Sequence, residues 1–427
     1  MKVLVLGSGA REHALCWKLK QSPRVTDLYC APGNPGIAAV ADRVPIAVDE
    51  VHQIASFAGD LGIDLVIVGP ELPLTLGIVD ELQQRGVAVF GPTRQAAELE
   101  GSKIFAKEFM RRHGIPTGAF FVAHDRDEAA RHAAELGFPV VLKADGLAAG
   151  KGVTIAKDAT ELEAQLDTFF VDRRFGSAAD RVVVEEFLEG EEISFIGVSD
   201  GERLLPLATS KDYKRLLDDD GGPNTGGMGA HSPAGVLERG VGAQILDQVM
   251  HPVVHGMAEE NRPFRGFLYA GLMLTAEGPK VLEFNVRLGD PEAQPLLMRL
   301  DDDLATVLAT GANGRFETTR LHFKKEAAAC VVLASRGYPE KPIKGEPIHG
   351  VDRLAPIEGI EVFHAGTTEK DGQLISAGGR VLSVCATGPH LRDALKRAYA
   401  AANEIVWPSK IMRFDIGRRV VAPSAEG

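Results

Sequence analysis

A glycine-rich loop between two apolar β-type runs is the feature that most limits what this chain can fold into. The runs are residues 140–142 and 153–156, and the loop contains Lys143, Gly146, Gly150, Lys151 and Gly152. Glycines leave room for backbone N–H groups to close on an anion, and the lysines add positive charge. A strand follows the loop, whereas a Walker A motif would open a helix. The stretch therefore predicts a phosphate-binding hairpin, with a flexible surface turn as the alternative.

Charge and cysteine usage narrow the class of protein. The chain has 427 residues and a net charge of −12, which argues against nucleic acid or an anionic membrane as its main partner. An acidic protein that binds phosphates must do so with local lysines and a metal ion. Four cysteines without a C-x-x-C pair predict reduced thiols in the cytoplasm. No apolar run reaches ~18 residues, so no membrane span is expected, and the length predicts two to four domains.

The first hundred residues predict a parallel sheet with a ligand crevice. An apolar strand runs into Gly-Ser-Gly-Ala-Arg-Glu-His at 7–13 and then into an apolar helix, which is the start of a βαβ unit. Glu12 replaces the third glycine of a G-x-G-x-x-G fingerprint, and no acid follows the next strand at 25–29, so a dinucleotide is disfavoured. Glycine–proline turns follow the strands at 65–68 and 87–90, and such turns at one sheet edge form a crevice. The alternative is that they only reverse the chain.

A later segment predicts the hinge of a nucleotide site. Residues 181–186 indicate a buried strand, and 193–198 indicate a second strand after a bend. Extended backbone at 186–188 could offer a carbonyl and an N–H group to an adenine edge, with Glu192 within reach of ribose hydroxyls. An acidic surface loop is the alternative. Upstream of this segment, Ser102 predicts the N-cap of the helix that follows it.

Several other clusters favour plainer interpretations. The glycine-rich stretch at 221–230 predicts a loop without regular structure, and a loop of that length usually has a function. The triple aspartate at 218–220 lacks the EF-hand spacing and favours a solvated turn over a cation site. The one at 301–303 predicts a helix N-terminus. His251 and His255 lack the glutamate of H-E-x-x-H, so a structural role is favoured over metal binding.

The strongest chemical signal is the stretch 280–292, which reads Lys-Val-Leu-Glu-Phe-Asn-Val-Arg-Leu-Gly-Asp-Pro-Glu. Side chains alternate faces along a strand, so Glu283, Asn285 and Arg287 share one face and apolar residues share the other. A carboxylate beside an amide oxygen is a donor pair suited to Mg²⁺ that carries nucleotide phosphates. The arginine can neutralise a phosphoryl group in transfer. A half-exposed strand with a salt bridge is the alternative, but it does not explain why one face gathers all three.

These motifs together resemble the ATP-grasp enzymes and, more narrowly, the phosphoribosylamine–glycine ligase family, also called the glycinamide ribonucleotide synthetases. The match runs nearly end to end and is more specific than the general ATP-grasp pattern. Its motifs lie at 7–14, 31–34, 69–71, 143–152, 223–230, 266–272 and 283–292. Ser8 and Ala10 depart from the family's usual Gly-Asn-Gly-Gly-Arg-Glu, and Tyr213 stands where histidine is common.

The resemblance implies an α/β fold, α+β in parts, with three domains. An N-terminal Rossmann-like substrate-binding domain with a parallel sheet would span 1–100. A central ATP-grasp domain would span 101–323, with a small lid subdomain at about 118–190. A small C-terminal α/β domain would span 324–427, and its own sequence shows no chemistry.

The family's reaction is the ATP-dependent ligation of glycine to 5-phosphoribosylamine, which gives glycinamide ribonucleotide, ADP and phosphate in de novo purine biosynthesis. The resemblance implies that ATP phosphorylates the glycine carboxylate and that the amine then attacks the glycyl phosphate. It also implies Mg²⁺ or Mn²⁺, small-molecule substrates and a cytoplasmic monomer. Two alternatives stay open: a related ATP-grasp carboxylase or ligase that acts on another carboxylate, and a non-catalytic nucleotide-binding protein.

The resemblance also implies roles for single residues. Arg287 and Lys143 would be catalytic, while Glu283 and Asn285 would hold the metal. ATP would be bound by Lys103, Lys143, Gly146, Gly150, Lys151, Gly152, Glu185, Glu186, Phe187, Leu188 and Glu192. The other substrates would be bound by Gly9, Arg11, Glu12, Asp212, Asn224, Gly226, Gly227, Met228 and Gly229.

Overall fold

Sheets of four or more strands organise each part of the chain. A computed structural model describes residues 1–146, 152–235, 240–355 and 357–421. Within these ranges the strands form four such sheets and two short two-stranded ribbons. Each sheet is built mainly from strands that are close together in the sequence, so the chain can be described as successive blocks, each with its own sheet or sheets.

The first block is a five-stranded sheet whose strands all run parallel. Its elements are β1 (Lys2–Gly7), α1 (Ala10–Leu19), β2 (Asp27–Pro32), β3 (Asp42–Arg43), α2 (Val51–Leu61), β4 (Leu65–Val68), α3 (Glu71–Leu76), α4 (Ile78–Gln84), β5 (Ala88–Phe90) and α5 (Glu98–Gly101). The strand order is β3-β2-β1-β4-β5. Unbroken apolar runs form β1 and β4, as expected where helices cover both faces of a sheet. The predicted Rossmann-like parallel sheet is confirmed.

The second block opens with a helix and a four-stranded antiparallel sheet, here called the lid sheet. Its elements are α6 (Lys103–Arg112), β6 (Phe120–Ala123), α7 (Arg126–Leu136), β7 (Val140–Ala144), β8 (Val153–Ala156), α8 (Ala159–Leu166) and β9 (Val182–Glu186). The strand order is β6-β9-β7-β8. Strands β7 and β8 pair antiparallel with Lys143 opposite Val153, which confirms the predicted hairpin. The Oγ of Ser102 accepts a hydrogen bond from the N–H of Phe105, so the predicted N-cap of α6 is also confirmed.

The block continues with long antiparallel strands, here called the central sheet, and the elements around them. These elements are β10 (Glu191–Asp200), β11 (Leu204–Pro206), β12 (Lys211–Asp212), β13 (Arg215–Leu217), β14 (Gly221–Asn224), β15 (Gly229–Ser232), α9 (Val241–Ile245), α10 (His251–Glu259), β16 (Arg265–Thr275), β17 (Gly278–Asn285), α11 (Ala293–Arg299) and α12 (Leu304–Ala312). The order of the central sheet is β11-β10-β16-β17. The prediction that 221–230 has no regular structure is wrong in part, because β14 pairs with β13. Asp303 caps α12 through the N–H of Ala305, as its triple aspartate predicted.

The last block forms a six-stranded antiparallel sheet. Its elements are β18 (Ala327–Ser335), β19 (Ile360–His364), β20 (Thr367–Lys370), β21 (Gln373–Ser376), β22 (Arg380–Gly388), α13 (Leu391–Glu404), β23 (Lys410–Ile411) and α14 (Arg418–Val421). The strand order is β12-β15-β18-β22-β19, and β23 pairs with β18. Strands β12 and β15 come from the second block, so the chain on either side of the glycine-rich loop is hydrogen-bonded into this sheet.

Short helical turns complete the described elements. The 3₁₀ turns are Ile37–Ala39, Gly176–Ala179 and Asp218–Asp220, and the π-helical turns are Asp167–Val171 and Leu246–Met250. No helix in the described ranges combines the length and the apolar character needed to cross a membrane.

Candidate active site

Four cations surround one carboxylate where the lid sheet, the central sheet and the loop after β12 come together. The carboxylate is Glu283 on β17. Burial alone would raise the pKa of Glu283, but nearby cations outweigh it and hold that pKa below its ordinary value. In order of effect these cations are Lys214, Lys143, Lys103 and Arg287. Three of these cations also pair with other carboxylates, and a group of basic side chains of this kind can bind a polyanion.

Lys103 is fixed at the point where α6 begins. Ser102 joins the helix to the loop, since its Oγ donates to the Oδ1 of Asp145 at 2.8 Å. The Nζ of Lys103 donates to the carbonyl of Gly146 at 2.9 Å. Burial lowers the pKa of Lys103, and Glu283 opposes that shift. The lysine, the helix N-terminus and the first glycine of the loop therefore lie together, and a helix N-terminus of this kind favours an anion.

Lys143 is fixed between the lid sheet and the central sheet. Its Nζ donates to the carbonyl of Leu282 at 3.0 Å and lies 2.5 Å from the Oε2 of Glu185. Glu185 is 1% exposed and also accepts from Lys107, whose Nζ donates to the Oγ1 of Thr117 at 2.6 Å. Burial lowers the pKa of Lys107 to about 8, with Lys143 adding to the shift. The side chain of Glu185, a predicted hinge residue, therefore holds two lysines.

The predicted hinge leaves the lid sheet at the end of β9 and re-enters as β10. The N–H of Glu186 donates to the carbonyl of Ala119 at 2.9 Å, and its Oε2 accepts from the N–H of Ala119 at 3.0 Å. Leu188 is buried and Phe187 is half-buried. The strand–bend–strand path matches the sequence prediction, while the adenine contact stays a prediction.

Two ion pairs join the start of β10 to the loop after β12. Lys211 Nζ lies 2.6 Å from Glu191 Oε1, and Lys214 pairs with Glu192. Although burial opposes the shift, Asp212 and Glu192 hold the pKa of Lys214 well above its ordinary value. Glu192, the predicted ribose ligand, is exposed at the edge of the cleft and is engaged by this lysine.

Arg287 is held in one orientation by its neighbours. Its Nε donates to Glu71 Oε2 at 3.0 Å, and its Nη2 donates to Asn285 Oδ1 at 2.9 Å. The same Nη2 lies 3.0 Å from Glu100 Oε1. Burial alone would lower the pKa of Arg287, but the carboxylates of Glu100 and Glu71 outweigh it and raise that pKa above its ordinary value. The guanidinium is therefore a permanently charged, preorganised donor.

Glu283 and Asn285 present the oxygens that the sequence assigned to a metal. Both lie on the partly exposed face of β17, two residues apart, as the strand alternation predicted. Hard oxygen donors suit Mg²⁺, which is usually held by one or two protein groups and by substrate phosphates. The described ranges contain no group of three or more His, Cys, Asp or Glu residues that could hold a metal alone. The donor set therefore fits a cation that arrives with a phosphate-bearing substrate.

Glu12 fills the space that the glycines of the first sheet leave open. It is 2% exposed, and a Cβ at Gly7, Gly9 or Gly69 would collide with its side chain. The N–H of Gly9 donates to Glu12 Oε2 at 2.6 Å, and Arg11 Nε donates to Oε1 at 2.5 Å. This residue stands at the position of the third glycine of the fingerprint, which serves the close packing of helix and strand. The absence of a dinucleotide site here stays a prediction.

Asp290 links this edge to the glycine-rich loop. Burial would raise the pKa of Asp290, but Arg380 and Arg11 outweigh it and lower that pKa. Arg380 Nη2 lies 3.3 Å from Asp290 Oδ2, and Arg380 Nη1 donates to the carbonyl of Gly226 at 2.6 Å. Gly227 has a φ of +110°, and a Cβ on it would collide with the ring of Pro291, the residue that follows Asp290. Arg380 thus brings the last block, for which the sequence predicted no chemistry, to two predicted substrate regions.

The other predicted loop residues lie in different environments. Asn224 is exposed at the end of β14. Met228 is fully buried, and its N–H donates to the carbonyl of Tyr213 at 2.8 Å. Gly229 begins β15, where a Cβ would collide with the side chain of Ile416. The structure therefore brings Gly226 and Gly227 to the other site residues but packs Met228 and Gly229 against the last block.

Asp212 belongs to a buried polar cluster beside the cleft. Ser194 Oγ lies 2.6 Å from Tyr269 Oη and 3.4 Å from both Asp212 Oδ1 and Glu292 Oε1. Burial raises the pKa of Asp212 to about 7, with Lys214 opposing the rise and Glu292 adding to it. A carboxyl group that titrates near neutrality gives this cluster a pH-dependent charge.

This shift predicts a pH dependence of stability. An unfolded-state pKa near 3.8 and a folded-state pKa of about 7 mean that the native protein binds the proton more tightly between these values. The contribution of Asp212 is therefore full below pH ~4 and is lost as pH rises through 7, at no more than about 1.4 kcal/mol per pH unit. Urea unfolding of the wild type and Asp212→Asn should show a stability difference that falls as pH rises. A constant difference from pH 4 to 8 would contradict the burial of this carboxyl.

Sequence reasoning missed several residues of the site. These are Glu71, Glu100, Lys107, Lys214 and Arg380. Lys107 follows Lys103 by one helical turn, and Lys214 follows Asp212 by two residues, so their spacing was available as a signal. Arg380 gave no signal, because only the tertiary fold brings it here. The predicted phosphate-loop residues Gly150 and Lys151 lie outside the described residues.

Comparison with known proteins gives family matches over most of the chain. Residues 1–100 match the N domain of phosphoribosylglycinamide synthetase, 101–293 match its ATP-grasp (A) domain, and 328–419 match its C domain. A protein of Brucella melitensis described as phosphoribosylamine–glycine ligase is 48% identical over 421 residues, which are 99% of this chain and 98% of that protein.

Solved structures share the fold. The crystal structure of phosphoribosylamine–glycine ligase from Thermotoga maritima aligns with a TM-score of 0.84 at 34% identity, covering 97% of this chain and 100% of that chain. The biotin carboxylase domain of Hydrogenobacter thermophilus 2-oxoglutarate carboxylase, in complex with MgADP, ADP and bicarbonate, aligns with a TM-score of 0.74 at 18% identity, covering 96% and 91% of the two chains. The second similarity is one of fold alone.

Proposed function

Because the chain belongs to the phosphoribosylglycinamide synthetase family, we propose that it joins glycine to 5-phosphoribosylamine with conversion of ATP to ADP and phosphate. The product is glycinamide ribonucleotide, an intermediate of de novo purine biosynthesis. The observation that carries the proposal is the group of four cations around Glu283. A site of this charge suits a nucleotide triphosphate and a second, carboxylate-bearing substrate.

The chemistry explains why so much positive charge is needed. A carboxylate is a poor electrophile, so the glycine carboxylate first attacks the γ-phosphoryl group and becomes a glycyl phosphate. The amine of phosphoribosylamine then attacks the carbonyl carbon, and phosphate leaves. Water would hydrolyse the mixed anhydride, so the site must exclude it. The amine loses one proton as the amide bond forms, and the departing phosphate can accept it, so the proposal requires no separate general base.

Lys103 and Lys143 bind the ATP phosphates in this proposal. Support comes from their fixed positions: Lys103 at the start of α6 and Lys143 between the two sheets. Gly146 and Gly152 at the two ends of the loop allow its backbone to close over the phosphates, with Gly150 and Lys151 between them. The adenine and ribose lie along 186–188 and Glu192.

Glu283 and Asn285 hold Mg²⁺ or Mn²⁺ bound to those phosphates. When bound, the cation supplies a Lewis acid that neutralises charge on the transferring phosphoryl group. Arg287 stabilises the same charge from the protein side, and its ion pairs with Glu71 and Glu100 fix its orientation before the reaction.

The phosphoribosyl group lies at the edge of the first sheet. Gly9 and Arg11 are at the start of α1, where backbone N–H groups and the helix dipole favour a phosphate. Glu12 holds both in place through its two oxygens. Asp212 and the loop from Asn224 to Gly229 contact the remaining substrate groups.

The setting we propose is a monomer in the cytoplasm. All four cysteines are unpaired and buried, which supports a reducing compartment.

The experiment that tests the function is substrate-dependent ADP release. We expect stoichiometric release of ADP when ATP, Mg²⁺, glycine and freshly generated phosphoribosylamine are all present, and little release without any one of them. Release with another amino acid in place of glycine, at an equal rate, would contradict the proposed substrate. Tight ATP binding without turnover under all conditions would instead identify a nucleotide-binding protein.

A further inference from the structure

The triple aspartate at 218–220 is attached to the C-terminal part of the chain. Residues 413–418, here called the latch segment, run past this turn. The N–H of Phe414 donates to Asp218 Oδ1 at 2.8 Å, and the N–H of Asp219 donates to Asp415 Oδ2 at 2.9 Å. The three aspartates are exposed, which agrees with the solvated turn that the sequence favoured, but the turn also carries hydrogen bonds to a distant segment. It anchors one segment of the protein to another.

Arg413 is the centre of this attachment. It is 1% exposed, and its Nη1 and Nη2 both lie 3.1 Å from Asp220 Oδ1. Its Nε and Nη2 donate to the two oxygens of Asp415 at 2.7 Å, and its Nη1 donates to the carbonyl of Arg215 at 3.1 Å. The planar fork of a guanidinium is the group that can make all of these bonds at once.

Tyr213 connects the latch segment to the cleft. The guanidinium of Arg413 lies 5.1 Å from the centre of its ring, and the N–H of Gly417 donates to its Oη at 2.8 Å. Tyr213 is buried against the latch segment, whereas Asp212 on one side of it belongs to the polar cluster beside the cleft and Lys214 on the other side pairs with Glu192. Lys214 is the cation with the largest effect on the pKa of Glu283.

We propose that Arg413 is a positioning residue for the reaction, which keeps Lys214 aimed at the site around Glu283. It acts through Tyr213 and the carbonyl of Arg215 and touches no substrate. The inference rests on the proposed function, because it assigns a role within that reaction. Tyr213 and the aspartate turn then act together, because both contact the latch segment and so fix the position of the loop after β12.

A double-mutant cycle between Arg413 and Lys214 tests the proposal. Arg413→Lys keeps the charge but loses the fork, and we expect kcat/KM for glycine-dependent ADP release to fall about tenfold, as supporting groups around a site commonly do. If Arg413 acts through Lys214, the Arg413→Lys, Lys214→Met double variant should be no slower than Lys214→Met alone. If the double variant instead loses kcat/KM by the product of the two single losses, the two residues act independently and the proposal is overturned.

Arg299→Lys is the matched control. Arg299 is also a buried arginine, and its hydrogen bonds run to the carbonyls of Glu326 and Lys324 and to the Oγ of Ser232 rather than to the latch segment. Its replacement should lower stability, and any loss of rate should multiply with that of Lys214→Met. The same multiplication for Arg413 would show a structural role only.

A milder variant covers the case in which Arg413→Lys does not fold. Asp220→Asn keeps the size of the side chain and weakens its pair with Arg413 at a half-exposed position. Its smaller loss of kcat/KM should likewise vanish in the Lys214→Met background, and persistence of that loss would overturn the proposal. If the wild-type protein shows no glycine-dependent ADP release, the proposed function is wrong. If the wild type does release ADP but the losses of the single variants multiply in the double variants, only the inference about Arg413 is wrong.

Discussion

Replacing Glu283 by glutamine and Asn285 by alanine in one variant is expected to lower metal-dependent ADP release by about 10³-fold or more. Each lost donor weakens the cation that neutralises the phosphoryl group, and single donors to such charge are worth about 10²–10³ in rate. The protein should still fold, because both side chains lie on the partly exposed face of β17 and not in its apolar core. Initial rates at increasing Mg²⁺ and Mn²⁺, with the unfolding midpoint measured in parallel, check the prediction.

Glu100→Gln serves as the control for this variant. Glu100 is a buried carboxylate that pairs with Arg287 at 3.0 Å, and it offers no oxygen to the proposed metal. Its replacement should leave the concentration of metal needed for half-maximal rate nearly unchanged. Near-normal turnover of the Glu283→Gln, Asn285→Ala variant would show that the ligands are wrongly assigned.

Lys143→Met is expected to lower turnover by about 10²-fold or more, in line with the loss of one transition-state donor. Methionine keeps most of the apolar stem but removes the charge beside the phosphates. Lys107→Met is the matched variant, since it removes the other ammonium group bound to Glu185. Each variant removes one of the two cations that pair with Glu185, but only Lys143 is proposed to contact ATP.

The comparison of the two lysine variants separates catalysis from folding. Both should lower the free energy of unfolding, because each leaves a buried carboxylate with one cation fewer. Only Lys143→Met should lose turnover by the larger factor at saturating ATP. Equal losses in both variants would mean that Lys143 acts through Glu185 and not on the phosphates. If Lys143→Met keeps the turnover rate and only binds ATP more weakly, Lys143 binds the substrate phosphates but does not stabilise the transition state.

Local pattern sufficed to predict much of the fold. Unbroken apolar runs predicted the parallel strands β1 and β4, and the glycine loop between two short apolar runs predicted the hairpin of β7 and β8. Ser102 and Asp303 predicted helix starts, because a capping side chain needs only the next two or three residues. Each of these features is decided within a few positions of the chain.

Features decided by distant contacts were not predictable in this way. The triple aspartate at 218–220 is exposed, as predicted, but nothing in that stretch indicated its partner Arg413, which lies about two hundred residues away along the chain. Glu185 was assigned to the nucleotide hinge, since nothing in its own strand shows that two lysines from α6 and β7 converge on it. The roles of single residues at the site therefore remain predictions.

The alternation along β17 lies between these cases. A period of two places Glu283 and Asn285 on one face, and the structure has this arrangement. Arg287 lies beyond the end of the strand, yet it still hydrogen-bonds Asn285. The pattern did not reveal that Glu71 and Glu100 hold the arginine, because their own segments lie in the first block. Sequence spacing thus predicted the chemical groups but not the frame that orients them.

The fate of the glycine carboxylate oxygens tests the central claim most directly. The claim is that the γ-phosphoryl group of ATP is transferred to glycine before the amine attacks. One carboxylate oxygen then leaves with the phosphate, so glycine labelled with heavy oxygen in both positions should give inorganic phosphate that carries one label per turnover. Mass spectrometry of the released phosphate reads this out. Full turnover with unlabelled phosphate would contradict the account, even if glycinamide ribonucleotide were formed.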